Sequence, residues 1–137
     1  MTASVSFFVP GSPAPQGSKR HVGRGIMVES SKAVGPWRER VALAAHQAMR
    51  AVGEPPFAGA VTVHLGFVMP RTKSLPKTKT VAATKRPDLD KLVRACLDSM
   101  TAVCFADDSQ VVWMRASKRY ALPEETPGVH INITEGP

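Results

Sequence analysis

"KRPDLDKLVRACLDSM", residues 85–100, opens on cations and a proline and then becomes strongly patterned. Leu89, Leu92, Val93, Cys96, Leu97 and Met100 recur at steps of three and four, which puts them on one stripe of a helix from about 88 to 103. Pro87 breaks any helix upstream, so the helix starts where Asp88 and Asp90 stand. Before it, "AVTVHLGFVM" (60–69) alternates Val61, Val63, Leu65, Phe67 and Met69 with smaller or polar residues, the pattern of a strand with one face in the core. After it, "DSQVVWMRASKRYAL" reads as a strand from about 108 to 121. That strand runs back antiparallel to the helix and pairs into the sheet beside the strand that leads into the basic loop.

Outward from this unit, "SVSFFV" (4–9) reads as a first strand, closed by Pro10, Gly11, Pro13 and Pro15. Residues 16–35 are polar and basic, with a short extended piece around 25–29. "PWRERVALAAHQAMRAV" (36–52) is a helix with Pro36 in its first turn, an apolar stripe of Trp37, Val41, Ala44, Ala45, Ala48 and Val52, and Gly53 as its stop. "GVHINITE" (128–135) is a last strand with Val129, Ile131 and Ile133 on one face. The order β, α, β, α, β, β predicts an α/β (α+β) fold, a single layer of mixed β-sheet with two main helices.

The chain has 137 residues, 43% hydrophobic, which suits one globular domain over 1–137 and is too apolar for a disordered chain. Cys96 and Cys104 are too few for a disulfide framework and read as buried free thiols of a reducing cytoplasm. No signal-peptide pattern is read in "MTASVSFFVP" and no segment is long and apolar enough to span a bilayer, so no membrane is expected as partner. The net charge of +7 favours polyanions, nucleic acid first. The cations concentrate in "GSKRHVGR" (17–24), with Lys19 and Arg20, and in 70–87, with Arg71, Lys73, Lys77, Lys79, Lys85 and Arg86. The plain reading of the second run is a solvated loop; the functional one is a grip on the phosphate backbone.

No acid occurs between Glu54 and Asp88. Residues two apart on a helix point in nearly opposite directions, so Asp88 and Asp90 serve one site only if Asp88 precedes the helix. The plain reading makes Asp88 the N-cap and Asp90 a favourable first-turn charge. Asp107 and Asp108 begin the strand after the same helix, and several sheet registers would bring Asp108 near the helix start. Asp88, Asp90 and Asp108 together would offer the oxygen ligands that Mg²⁺ or Mn²⁺ takes, and such ions promote phosphodiester hydrolysis. Cations would draw in the backbone and acids would carry the metal that cuts it. Arg94, four residues from both Asp90 and Asp98, is either part of an ion-pair ladder or a charge placed over the scissile phosphate; Lys91 is a second candidate for that task.

"RPDLDKLVRACLDSM" followed by "ADDSQVVWMRASK" resembles the signature of RusA-type Holliday junction resolvases, small endodeoxyribonucleases of phages and prophages. The family pattern runs roughly Asp-x-Asp-Asn-Leu-x-Lys, then Asp-Asp-x-Gln-Val after a helix. The resemblance covers most of the chain and is weakest from about 11 to 35. It implies a RusA-like fold, catalytic metal-binding acids at Asp88, Asp90 and Asp108, a Mg²⁺ cofactor, a homodimer, and four-way DNA junctions resolved by paired nicks in recombination and repair. The family's lysine falls on Arg94, which keeps a charge but gives up no proton, and its asparagine falls on Lys91. Lys118 matches a basic position on the strand after the second cluster, and joins Lys19, Arg20, Arg71, Lys73, Lys77, Lys79, Lys85 and Arg86 as a DNA contact. The alternative is a non-enzymatic basic nucleic-acid-binding protein in which Asp88 only caps and Asp107 and Asp108 only start a strand.

Overall fold

The computed structural model describes residues 2–17, 19–21, 27–29 and 32–136, with 19–21 and 27–29 described as backbone. In chain order the elements are β1 (Ser4–Pro10), β2 (Lys19–His21), β3 (Met27–Glu29), α1 (Val34–Val52), β4 (Val61–Met69), α2 (Leu89–Met100), β5 (Val111–Tyr120) and β6 (Gly128–Glu135). A four-stranded sheet runs β1-β6-β4-β5, and β2 and β3 form a separate two-stranded ribbon. The mixed sheet with two helices is therefore the predicted architecture. The extended piece read at 25–29 becomes β3, paired antiparallel with β2; residues 25 and 26 lie outside the described residues.

β4 and β5 are the parallel pair, in register from Val61↔Val111 to Met69↔Tyr120, with an irregularity between Val61 and Thr62. Parallel strands need a long crossover, and the basic loop plus α2 supplies it. β6 lies antiparallel between β1 and β4. The core face read for β4 holds, with Val61, Val63, Leu65, Phe67 and Met69 all buried, but the alternation ends at Val68, which is buried too; Val129, Ile131 and Ile133 of β6 are also buried. Both helices meet this face, α1 against β1 and α2, and α2 against β5.

On α2 the apolar stripe faces the sheet: Leu92, Cys96 and Met100 are fully enclosed, and Leu89, Val93 and Leu97 are half-buried. Each fully buried side chain of this size is worth roughly 1.5–3 kcal/mol, so the stripe rather than local propensity holds the helix in place. The helix ends at Met100, short of the predicted 103. The Thr101 hydroxyl donates to the Leu97 carbonyl, Ala102 adopts φ 72, and the turn buries Cys104 and Phe105 beside Phe57. The apolar run continues past the helix because the turn itself is buried.

α1 starts two residues before Pro36, at Val34. A proline in the first turn removes only an N–H that has no helical partner. At its other end the buried residue is Met49, whereas Val52 is exposed; Gly53 (φ 70) closes the helix as read. The β5–β6 turn is clamped by Arg119, whose guanidinium donates twice to Glu125, 2.7 Å each, holding that carboxyl down at about 2.

Candidate functional site

Asp88 occupies the N-cap position of α2 through its backbone: it is extended (φ −69, ψ 140) and its carbonyl accepts from Leu92 N–H at 3.2 Å. Its carboxylate accepts no capping hydrogen bond from the helix. Instead it lies 3.7 Å from the Lys91 ammonium, with the Asp88 side chain 52% exposed. The plain capping reading thus fails at the side chain. Asp90 stands exposed in the first turn, so both carboxylates are open at the mouth of α2.

Two cations predicted to touch DNA hold the basic loop through backbone carbonyls. The Lys118 ammonium on β5 donates to the carbonyls of Lys85 (2.8 Å) and Pro87 (2.7 Å) and so ties the loop end to the sheet. The Arg71 guanidinium donates to the carbonyls of Ala121 (3.2 Å), Pro76 (2.5 Å) and Lys79 (2.8 Å), folding the basic loop around itself. The loop is therefore an anchored structure, with Lys73, Lys77, Lys79, Lys85 and Arg86 on its exposed surface. The side chains of Lys19 and Arg20 lie outside the described residues.

Arg94 is exposed on α2, and its guanidinium packs over Gly17. A Cβ at position 17 would come 2.6 Å from Arg94 Nη1, and the φ of +99 there also favours glycine. The predicted Asp90–Arg94–Asp98 ladder does not form; among the described residues the ion pairs are Lys91–Asp88 and Arg119–Glu125. Asp98 instead accepts from the Gln16 side-chain amide, while Gln16 N–H donates to the Lys91 carbonyl at 3.0 Å. This strap along α2, built by Gln16 and Gly17, was not legible from local pattern.

At the other acidic pair the two carboxylates divide their work. Residues 108–110 form a short 3₁₀ turn rather than the start of a strand, and Asp107 caps it, accepting from Ser109 N–H at 3.4 Å. Gln110 completes the capping box: its Oε1 accepts from the backbone of Ala106 (2.8 Å) and Asp107 (3.0 Å). Its amide then donates to the carbonyls of Phe57 and Gly59, both at 2.8 Å, stitching the turn to the start of β4. The Asp-x-x-Gln spacing is a capping-box signature that could have exposed this role. Gln110→Ala removes four hydrogen bonds around backbone groups and is expected to cost about 1–3 kcal/mol, lowering Tm by several degrees. A thermal melt checks this; an unchanged Tm would mean that water replaces all of them.

Asp107 is held below the usual carboxylate range, first by the Ser109 N–H and then by Asp108. Asp108 is pushed upward by the hydrogen bond it shares with Asp107, with burial and the like charges of Asp107 and Asp98 adding to the shift. Asp108 is exposed and serves no capping bond, so it is the acid of this pair left for other chemistry.

Asp88 and Asp108 nevertheless stand apart within one chain. Asp88 shares a cavity wall with Met69 and Tyr120, the last residues of β4 and β5, whereas Asp108 precedes the first residue of β5. Because α2 runs opposite to β5, the two acidic pairs sit at opposite ends of the helix, whose 12 residues span about 18 Å. Among the described residues no three His, Cys, Asp or Glu side chains cluster closely enough to hold a metal ion. The expected convergence of Asp88, Asp90 and Asp108 in a single chain is thus corrected: a shared divalent ion does not fit one chain alone, because the parallel β4–β5 register excludes the arrangements that would close the gap.

Cysteine chemistry is excluded at the site. Cys96 and Cys104 are buried, and burial pushes both thiols up to about 12, far from the thiolate form at neutral pH.

The site is two open acids at a helix mouth beside an anchored basic loop, on a mixed sheet. Residues 10–134 match the family model described as Endodeoxyribonuclease RusA, and the chain belongs to that family of endodeoxyribonucleases. It is 29% identical over 143 residues to the uncharacterized protein YqaN of Bacillus subtilis (strain 168), covering 96% of each chain. Over 53 residues it is 43% identical to the crossover junction endodeoxyribonuclease rusA of Lactococcus phage r1t, covering 38% of each. Among the described residues no helix is long and apolar enough to cross a membrane.

Proposed function

We propose that the chain is a metal-dependent endonuclease that resolves Holliday and other branched DNA junctions, working as a homodimer in recombination and repair in the cytoplasm. The observation that carries this reading is the Asp88 carboxylate. It sits at an N-cap position yet caps nothing, open beside Asp90 at the mouth of α2 under a cationic loop. A purely structural acid would have used the orphan N–H groups within its reach.

The second chain supplies what one chain lacks. β5 is an edge strand of the four-stranded sheet, and Val112, Trp113 and Met114 on it are exposed by 59%, 51% and 38%. An exposed apolar edge is a template for another strand. Antiparallel pairing of two β5 strands about a two-fold axis carries each Asp108 toward the partner's Lys118 end, where the partner's Asp88 and Asp90 stand. Two such composite sites, related by symmetry, suit paired nicks in a two-fold junction. The three gathered carboxylates are an oxygen donor set for Mg²⁺ or Mn²⁺, which would supply an activated water and neutralise the leaving oxygen.

The chain's own cations then act around the acids. Arg94 and Lys91 neutralise charge that develops on the phosphate; Arg94 is held in place over Gly17. Lys73, Lys77, Lys79, Lys85 and Arg86, with Lys19 and Arg20, hold DNA arms through phosphates, so affinity falls steeply with salt. Arg71 and Lys118 act on DNA through the loop they anchor.

A labelled four-way junction, incubated with the protein with and without Mg²⁺, tests the reading. Symmetric nicks only with the metal are the expected result. A shifted band with no product under any divalent ion would favour the non-enzymatic nucleic-acid binder instead.

A further inference from the structure

Beside Asp88 lies a cavity of about 640 Å³. Its walls are largely apolar: Ala14, Met69 and Ala83 are buried there, with Pro87 and Tyr120 at the side. Its rim carries Lys85, Arg86 and Lys91. A surface that only grips phosphates needs a cationic track and gains nothing from an apolar hole beneath it. An apolar hole ringed by cations fits a ligand that joins a flat apolar body to an anion within one residue, which describes a nucleotide. The volume lies inside the range of small-ligand pockets, roughly 300–1,000 Å³.

The cavity is also preformed. One wall, at Pro13 to Pro15, belongs to the strap that Gln16 ties to Lys91 on α2. Another, at Lys85 to Pro87, is held by the Lys118 ammonium. Ser12, Thr72 and Tyr120 bring hydroxyls to the lining, the kind of sparse polar group that meets a base edge.

We infer that this cavity takes an unstacked nucleobase from the strand whose phosphate crosses the mouth of α2. The inference rests on the reading that the chain binds branched DNA there, and it adds how the substrate is seated. Unstacking a base costs a few kcal/mol, and least where stacking is already interrupted, as at the centre of a junction. A seated base fixes the neighbouring phosphate against Lys85, Arg86 and Lys91 and presents it to Asp88 and Asp90.

The test is a set of four-way junctions carrying 2-aminopurine at successive positions about the crossover, bound by the intact protein with Ca²⁺ in place of Mg²⁺. The expected result is a several-fold fluorescence rise at one position. Ala83→Phe and, on an independent wall, Ala14→Phe fill the cavity; each should still shift the junction, abolish the rise and slow nicking by roughly tenfold or more. The wild-type scan decides even if neither variant folds. A junction that is bound and nicked while every position stays stacked overturns the pocket assignment and leaves the nuclease reading standing. A rise that persists in both filled variants overturns it too. A protein that does not bind the junction at all removes the proposed function and this inference together.

Discussion

Asp90→Asn is expected to abolish nicking of a four-way junction while the band shift persists or strengthens. The substitution keeps the size of the side chain and removes one negative charge from a surface otherwise built to attract phosphates, so binding loses nothing electrostatic. Nicking loses a charged oxygen from the site; removing a single well-placed group of this kind costs of the order of 10²–10³-fold, about 3–4 kcal/mol. Asp88 offers a matched control. Were it a working cap, Asp88→Ala would destabilise the protein by about 1 kcal/mol. Because its carboxylate makes no cap bond, the melt should stay within roughly 0.5 kcal/mol of the parent while nicking collapses. Cleavage of the junction by Asp90→Asn at the parent rate with Mg²⁺ would remove these acids from the chemistry.

Mixing two inactive proteins should restore cutting. If each site takes Asp88 and Asp90 from one chain and Asp108 from its partner, Asp90→Asn and Asp108→Asn homodimers each contain two damaged sites. Their heterodimer concentrates both lesions in one site and leaves the other intact. With free exchange, half of the dimers are mixed and half of their sites are whole, so about a quarter of the parent's single-strand nicking should return. Paired resolution should not return, since no mixed dimer has two whole sites. Sites confined to one chain give no recovery at any mixing ratio. A Met114→Glu change on β5, placed on the exposed edge, should leave the monomer folded and prevent both dimerisation and complementation.

Much of the chain was legible because its signals are local. The alternation of β4 and the stripe of α2 each show a face directly in the residues, and five of the six buried β4 positions were identifiable; Val68, on the opposite parity, was not. Errors gathered where burial does not follow an element's period. Residues 101–103 were read into the helix although they open the turn that buries Cys104 and Phe105, and Met49 took the buried place that periodicity assigned to Val52. Arg71 and Lys118 look like any surface cations in a basic sequence; only their carbonyl partners, up to 50 residues away for Arg71, reveal that they hold the loop. Gln110 carried a readable capping signal, but its reach to Phe57 and Gly59 did not.

Residue order alone settled the class of fold, the family resemblance and the acids worth testing, since helical and strand periods and motif spacings are properties of neighbouring residues. It left open where those acids stand in space. The distance from Asp88 to Asp108 depends on β4 and β5 pairing parallel with α2 running back between them, a choice made by the burial of one shared core rather than by any short segment. That long-range packing placed the two acidic pairs at opposite ends of the helix, so one chain does not gather the acids that residue order set side by side.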